Sequence, residues 1–163
     1  MVSELSLSLT LEILDREDIF LVKPTFCRLA GLGESLAINS YRTLKFLNLI
    51  ITAEGHNPLC GLSRELRFIT GNNILEELKL FVMVIDHETE TEDWSALDSV
   101  LTDSGAFPIL HRVSVAILWF RSMELARDGM NLFIQSFKKD NFPRLVESKA
   151  VKFNFRIIPA TFR

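Results

Sequence analysis

The sequence predicts an α/β chain, a stack of parallel strands with helices mainly on one face, and three observations predict it. A strand-length apolar phrase recurs along residues 44–157. Between its copies the apolar spacing changes from two to three or four, from the period of a strand to that of a helix. Strands that alternate with helices need crossover connections, which make successive strands parallel and neighbouring.

The elements follow in order. Leu5, Leu7, Leu9, Leu11 and Ile13 stand at strict period two within Glu4 to Ile13, the pattern of a half-buried strand. Residues 14–42 are less regular. Phe26, Leu29, Leu32 and Leu36 have helical spacing, but Gly31 and Gly33 weaken it and Pro24 closes an extended stretch. Thr43 to Thr52 is rich in β-branched and leucine residues and predicts a strand.

Asn57 is placed to cap a helix with Pro58 at its first position. Leu59, Leu62, Leu66 and Ile69 form its stripe, and Gly71-Asn72-Asn73 stops it. Leu75 to Ile85 is the next strand. Thr89 and Glu92 have capping-box spacing at the head of a helix with the stripe Trp94, Leu97 and Leu101, which Gly105 ends. After the strand Leu110 to Phe120, an N-cap at Ser122 opens a helix whose apolar face is Met123, Ala126, Met130, Phe133, Ile134 and Phe137. Lys138 and Lys139 sit where the helix dipole favours cations. Ala150 to Ile158 is the last strand. The expected organisation is one repeat domain over residues 1–163, with an irregular N-terminal part at 1–42 and strand-helix repeats at 43–158.

Composition suits that reading. A folded chain of 163 residues is one domain by length and buries roughly 70% of the surface its unfolded form exposes. With 48% hydrophobic and 24% charged residues the chain lies far from the disordered class. Its net charge of -3 comes from 18 basic and 21 acidic residues interspersed along most of the chain, and nothing in it suggests an electrostatic nucleic-acid surface. Two cysteines, Cys27 and Cys60, are too few for a disulfide framework. No apolar run approaches membrane-span length, and Met-Val-Ser-Glu does not open a signal peptide. An intracellular chain, cytoplasmic or nuclear, with no membrane or nucleic-acid partner is expected.

The recurring phrase is apolar-x-x-apolar-x-apolar-x-apolar. It reads Leu44, Leu47, Leu49, Ile51, then Leu75, Leu78, Leu80, Val82, then Leu110, Val113, Val115, Ile117. The last strand keeps four alternating positions, Val151, Phe153, Phe155 and Ile157. Matching residues 47, 78, 113 and 151 gives spacings of 31, 35 and 38 residues. Phe107-Pro108-x-Leu110 is echoed by Phe142-Pro143-x-Leu145. One strand and one helix per unit of this length is the signature of a stacked repeat. The pattern resembles an irregular leucine-rich repeat, with long units of drifting length and no Asn or Cys after the strand.

A narrower likeness rests on Gly71-Asn72-Asn73-x-Leu75-Glu76, Asp93-Trp94-x-x-Leu97-Asp98-x-Val100-Leu101, Leu110-x-x-Val113-Ser114-Val115, and Phe142-Pro143-Arg144-Leu145 through Phe153-x-Phe155. Together these resemble the C-terminal repeat region of F-box-like, leucine-rich-repeat proteins of mushroom-forming fungi, over about Asn57 to Ile158. The resemblance implies a target-recognition tail of a ubiquitin-ligase receptor. Leu9 to Phe20 is only faintly similar to the opening helix of an F-box and lacks its usual Pro, so a complete F-box is not expected here. Adaptor binding would need one in a longer form.

Chemical motifs are sparse. The acidic run Asp86, Glu88, Glu90, Glu92 and Asp93, with His87 inside it, lacks the spacing and central glycine of a calcium loop and reads as a solvated lead into a helix. His56 and Cys60 are four apart but have Pro58 between them and no second ligand pair, so no metal is expected. His111 reads as an ordinary polar position near a strand start. Gly31-x-Gly33 lacks the rest of a nucleotide fingerprint, and no hydrolase, zincin or kinase signature occurs. No catalytic residue and no cofactor are expected.

The remaining candidate is the other face of the sheet. If Leu47, Leu49, Leu78, Leu80, Val113, Val115, Phe153 and Phe155 face the helices, then Asn48, Ile50, Lys79, Phe81, Ser114, Ala116, Asn154 and Arg156 face away and form a partner-binding surface for a protein target. The expected function is a non-catalytic interaction module. Two alternatives stay open: a small doubly wound α/β enzyme or nucleotide binder, and a truncated structural remnant with no binding role.

Overall fold

The computed structural model describes residues 29–39, 42–53, 59–71, 73–84, 91–120 and 127–160. Helix α1 (Leu32–Asn39) precedes strand β1 (Phe46–Ala53), and helix α2 (Leu62–Leu66) runs into a 3-10 turn at Arg67–Ile69. Strand β2 (Glu77–Val84), helix α3 (Thr91–Thr102) and strand β3 (Arg112–Phe120) follow, then helices α4 (Arg127–Asn141) and α5 (Pro143–Glu147) and strand β4 (Lys152–Ala160). The four strands form a sheet in the order β1-β2-β3-β4, with every neighbouring pair parallel. The expected strand at Glu4 to Ile13 lies outside the described residues, as do the expected helix starts at Asn57, Thr89 and Ser122.

Pairing register stacks residues of like parity across the sheet. Leu47, Leu78, Val113 and Phe153 form one row, Leu49, Leu80, Val115 and Phe155 a second, and Ile51, Val82, Ile117 and Ile157 a third. The first two spacings match the repeat at 31 and 35 residues. The third is corrected. Val113 pairs with Phe153 rather than Val151, so that spacing is 40 residues and not 38. A slip of two residues keeps every side chain on its face, so alternation alone does not fix it. Packing does: Phe153 lies 5.1 Å from the ring of the fully buried Phe142.

Those three rows and the helices enclose one core. Trp94, Leu97 and Leu101 of α3 are buried as their stripe requires, and Val100 joins them. Trp94 meets Phe137 and Phe142 edge-on at 5.8 and 5.7 Å, and Phe137 stacks on Phe155 at 5.6 Å. Each such pair adds about 0.5–1.5 kcal/mol to what area burial supplies.

One helix differs from expectation at its start, and another tolerates a glycine that weakens its pattern. Helix α2 begins at Leu62 with Gly61 as its N-cap, at φ 79°, and no side chain caps it. Cys60 just before it has a positive φ of 53° and is disulfide-bonded. The chain's other cysteine, Cys27, lies outside the described residues. The cysteine count therefore carries no argument about compartment. In α1, Gly33 sits where the chain approaches α2 so closely that a Cβ would run into the Glu65 carbonyl. Its N–H donates to Glu65 Oε2 at 2.9 Å. The residue that weakens the helix pattern is thus the one that lets two helices touch.

Helix α5 was not expected from sequence, and a distant carboxylate holds it. Asp98 of α3 is buried, and it accepts hydrogen bonds from the backbone N–H groups of Arg144 at 3.1 Å and Leu145 at 2.8 Å. These are first-turn donors with no partner inside the helix. Asn73 makes a similar tie, donating to the Ile69 and Ala106 carbonyls at 2.7 and 2.8 Å while its Oδ1 accepts from Leu75 N at 3.3 Å.

Removing the Asp98 carboxylate leaves those donors unsatisfied, so Asp98→Ala is expected to cost about 1–3 kcal/mol in urea denaturation. Burial raises the Asp98 pKa above its ordinary value, while the Leu145 and Arg144 N–H groups and the Arg144 charge pull the other way. The folded chain therefore holds this proton at pH values where the unfolded chain has lost it, and the group's contribution to stability rises as pH falls through the folded value. The stability difference between wild type and Asp98→Ala is expected to be larger near about pH 4 than near about pH 7, and equal differences at both would refute the shift.

Candidate functional site

Strand alternation sends every second side chain away from the helices. Asn48, Lys79, Ser114 and Asn154 form one outward row, and Ile50, Phe81, Ala116 and Arg156 form the next. All eight line a groove of about 550 Å³ on the sheet face opposite the core. Ala116, the smallest side chain of its row, is buried between the larger Phe81 and Arg156.

Polar groups order the rim. Asn154 Nδ2 donates to Ser114 Oγ at 3.4 Å. One step toward the strand starts, Phe46, Glu77, Arg112 and Lys152 form a further outward row. The Glu77 carboxylate is nearly buried, and its Oε1 lies 3.5 Å from Lys79 Nζ and 3.7 Å from Arg112 Nη1. Those distances are ionic contacts, since that oxygen accepts no hydrogen bond. Toward the strand ends the outward side chains become apolar, with Met83, Leu118 and Ile158 in register.

The structure thus brings together all eight side chains that parity assigned to this surface. Sequence reasoning missed Glu77, Arg112 and Lys152. The signal was available, because they share parity with the eight, but the repeat phrase was followed only from its second apolar position onward.

Other candidates do not converge. Gly31, at φ 90°, precedes α1, and the Gly33 N–H is taken by Glu65, so these glycines do not form a loop open to a phosphate. His111 is exposed, with Nδ1 3.4 Å from the Ile109 carbonyl. Of the acidic run, Asp86, His87, Glu88 and Glu90 lie outside the described residues, as does His56. Among the described residues no group of three or more His, Cys, Asp or Glu side chains is placed to hold a metal. No helix among them is long and apolar enough to cross a membrane.

Compared with models of protein families, with curated proteins and with solved structures, the chain matches none.

The groove and the core respond differently to truncation. Lys79→Ala, Asn154→Ala and Arg156→Ala are each expected to change unfolding free energy by less than about 0.5 kcal/mol. Leu80→Ala, one residue from Lys79 but on the buried face, is expected to cost about 2–5 kcal/mol. Denaturation of the four variants checks the assignment of faces, and a large cost at Arg156 would contradict it.

Proposed function

We propose that this chain is a non-catalytic protein-interaction module of irregular leucine-rich-repeat-like build, and that it engages a protein target through the groove. The observation that carries the reading is the composition of two registered rows: Asn, Lys, Ser and Asn beside Ile, Phe, Ala and Arg, on the sheet face away from the core. A fully covered parallel sheet would carry near-continuous apolar runs on both faces. Partly exposed aromatic and aliphatic anchors, ringed by hydrogen-bonding groups and an arginine, are the composition of a protein-binding surface. The likeness to fungal F-box-associated repeat tails supports the same reading. It would make the chain the target-recognition part of a ubiquitin-ligase receptor whose F-box lies in a longer form.

A photo-crosslinking residue at Phe81 tests it, with the exposed helix position Leu132 as control. The expected outcome is a discrete protein captured from position 81 and not from 132, which after purification binds Ala116→Trp at least about tenfold more weakly than wild type. Equal capture at both positions, or binding indifferent to Ala116→Trp, would refute the module.

A second reading has its own support: an all-parallel sheet with helical crossovers is the architecture of small α/β enzymes and nucleotide binders. Thermal shift with nucleotides and divalent metals separates the two, since a ligand at a hundredfold excess over its Kd adds about 2.7 kcal/mol of stability. A shift with any of them favours the second reading.

A further inference from the structure

The groove face carries a charge opposite to that of the chain. Its outward strand positions present four cations, Lys79, Arg112, Lys152 and Arg156, against the single carboxylate of Glu77, while the whole chain has a net charge of -3. The acidic excess therefore lies elsewhere. Glu77 is shared between Lys79 and Arg112. Lys152 and Arg156 are exposed on β4 and take part in no ion pair among the described residues.

We propose that the groove binds an extended acidic peptide segment that carries two carboxylates about four residues apart. This rests on the reading of the groove as the binding surface. Spacing supports it. Lys152 and Arg156 are four residues apart on one strand, roughly 13 Å, which is the reach between side chains i and i+4 of an extended peptide lying along the strand. Midway between these cations lie the hydrogen-bonded Asn154 and Ser114, and the small Ala116, flanked by Phe81, is level with Arg156. Carboxylates meet the two β4 cations, and the peptide between them passes over the polar row of Ser114 and Asn154. Arginine offers a planar fork to a carboxylate, and among the described residues neither β4 cation has an ion-pair partner to release.

Selection of a random 12-residue peptide library on the immobilised full chain, with Ala116→Trp for counter-selection, tests the proposal. Selected peptides are expected to be enriched in Asp and Glu over the input library. They should bind Arg156→Glu and Lys152→Glu about tenfold more weakly than wild type and weaken as salt rises from about 0.05 to 0.5 M. Circular dichroism of the variants confirms folding. Peptides that need the wild-type groove but show no acidic bias would overturn the charge assignment and leave the binding surface standing. Peptides indifferent to Ala116→Trp, or none at all, would overturn both. Amine acetylation of the free chain probes occupancy. Protection of Lys79 and Lys152 would give the face to another part of the chain, and self-association lost in Arg156→Glu would give it to a second copy; either result overturns the proposal.

Discussion

Everything in this fold depends on four parallel strands entering the sheet in step. The entry is set by a backbone contact repeated where each neighbouring pair of strands begins. Glu76 N donates to the Lys45 carbonyl at 2.8 Å, His111 N to the Glu76 carbonyl at 3.0 Å, and Lys152 N to the His111 carbonyl at 2.8 Å. From there the ladders keep like parity aligned over eight or nine residues. A slip of one residue in any strand would exchange its buried and outward sets, placing Lys79 or Arg156 in the core. The hydrophobic rows and the groove are therefore two results of one register.

On the helix side the units are joined by polar ties as well as apolar packing. Glu65 of α2 satisfies the Gly33 N–H of α1, Asp98 of α3 satisfies two donors of α5, and Asn73 binds a carbonyl in the next helix-to-strand turn. In each case a buried side chain from one unit completes the backbone of another. Such groups cost little when paired and a good deal when orphaned, so they favour one alignment of the units over near alternatives. Apolar contacts between leucine-rich helices would tolerate sliding far better.

How much of this was legible follows from the range of the interactions. The strands were legible because alternation is local, and their order followed because each is separated from the next by a crossover. The eight groove residues came from the same parity. Helix α5 was not legible, since its five residues have Pro143 at the first position and no local cap, and its acceptor lies 46 and 47 residues away at Asp98. Helix α1 was obscured by Gly33, whose reason is a contact with α2 32 residues further on. The β4 register was misread because Val151 and Phe153 have equal claims on alternation, and Phe142 decides between them through space. The errors fall where a contact distant in sequence overrides a local pattern.

The outward face also has a direction. Its rows run from charged and polar at the strand starts, through a mixed row at Ile50, Phe81, Ala116 and Arg156, to Met83, Leu118 and Ile158 at the strand ends. Burying Lys79, Arg112 and Lys152 beneath an apolar layer would strand their charges, so an occupant of the first rows must itself be polar and bring opposite charge. At the far end the order reverses, because covering three aliphatic side chains removes apolar surface from water and favours contact at roughly 25 cal/mol per Å². The mixed row lies between these demands. On the proposed reading, a partner that satisfies both is polar at one end and apolar at the other, and this gradient, fixed by register, would orient it on the face.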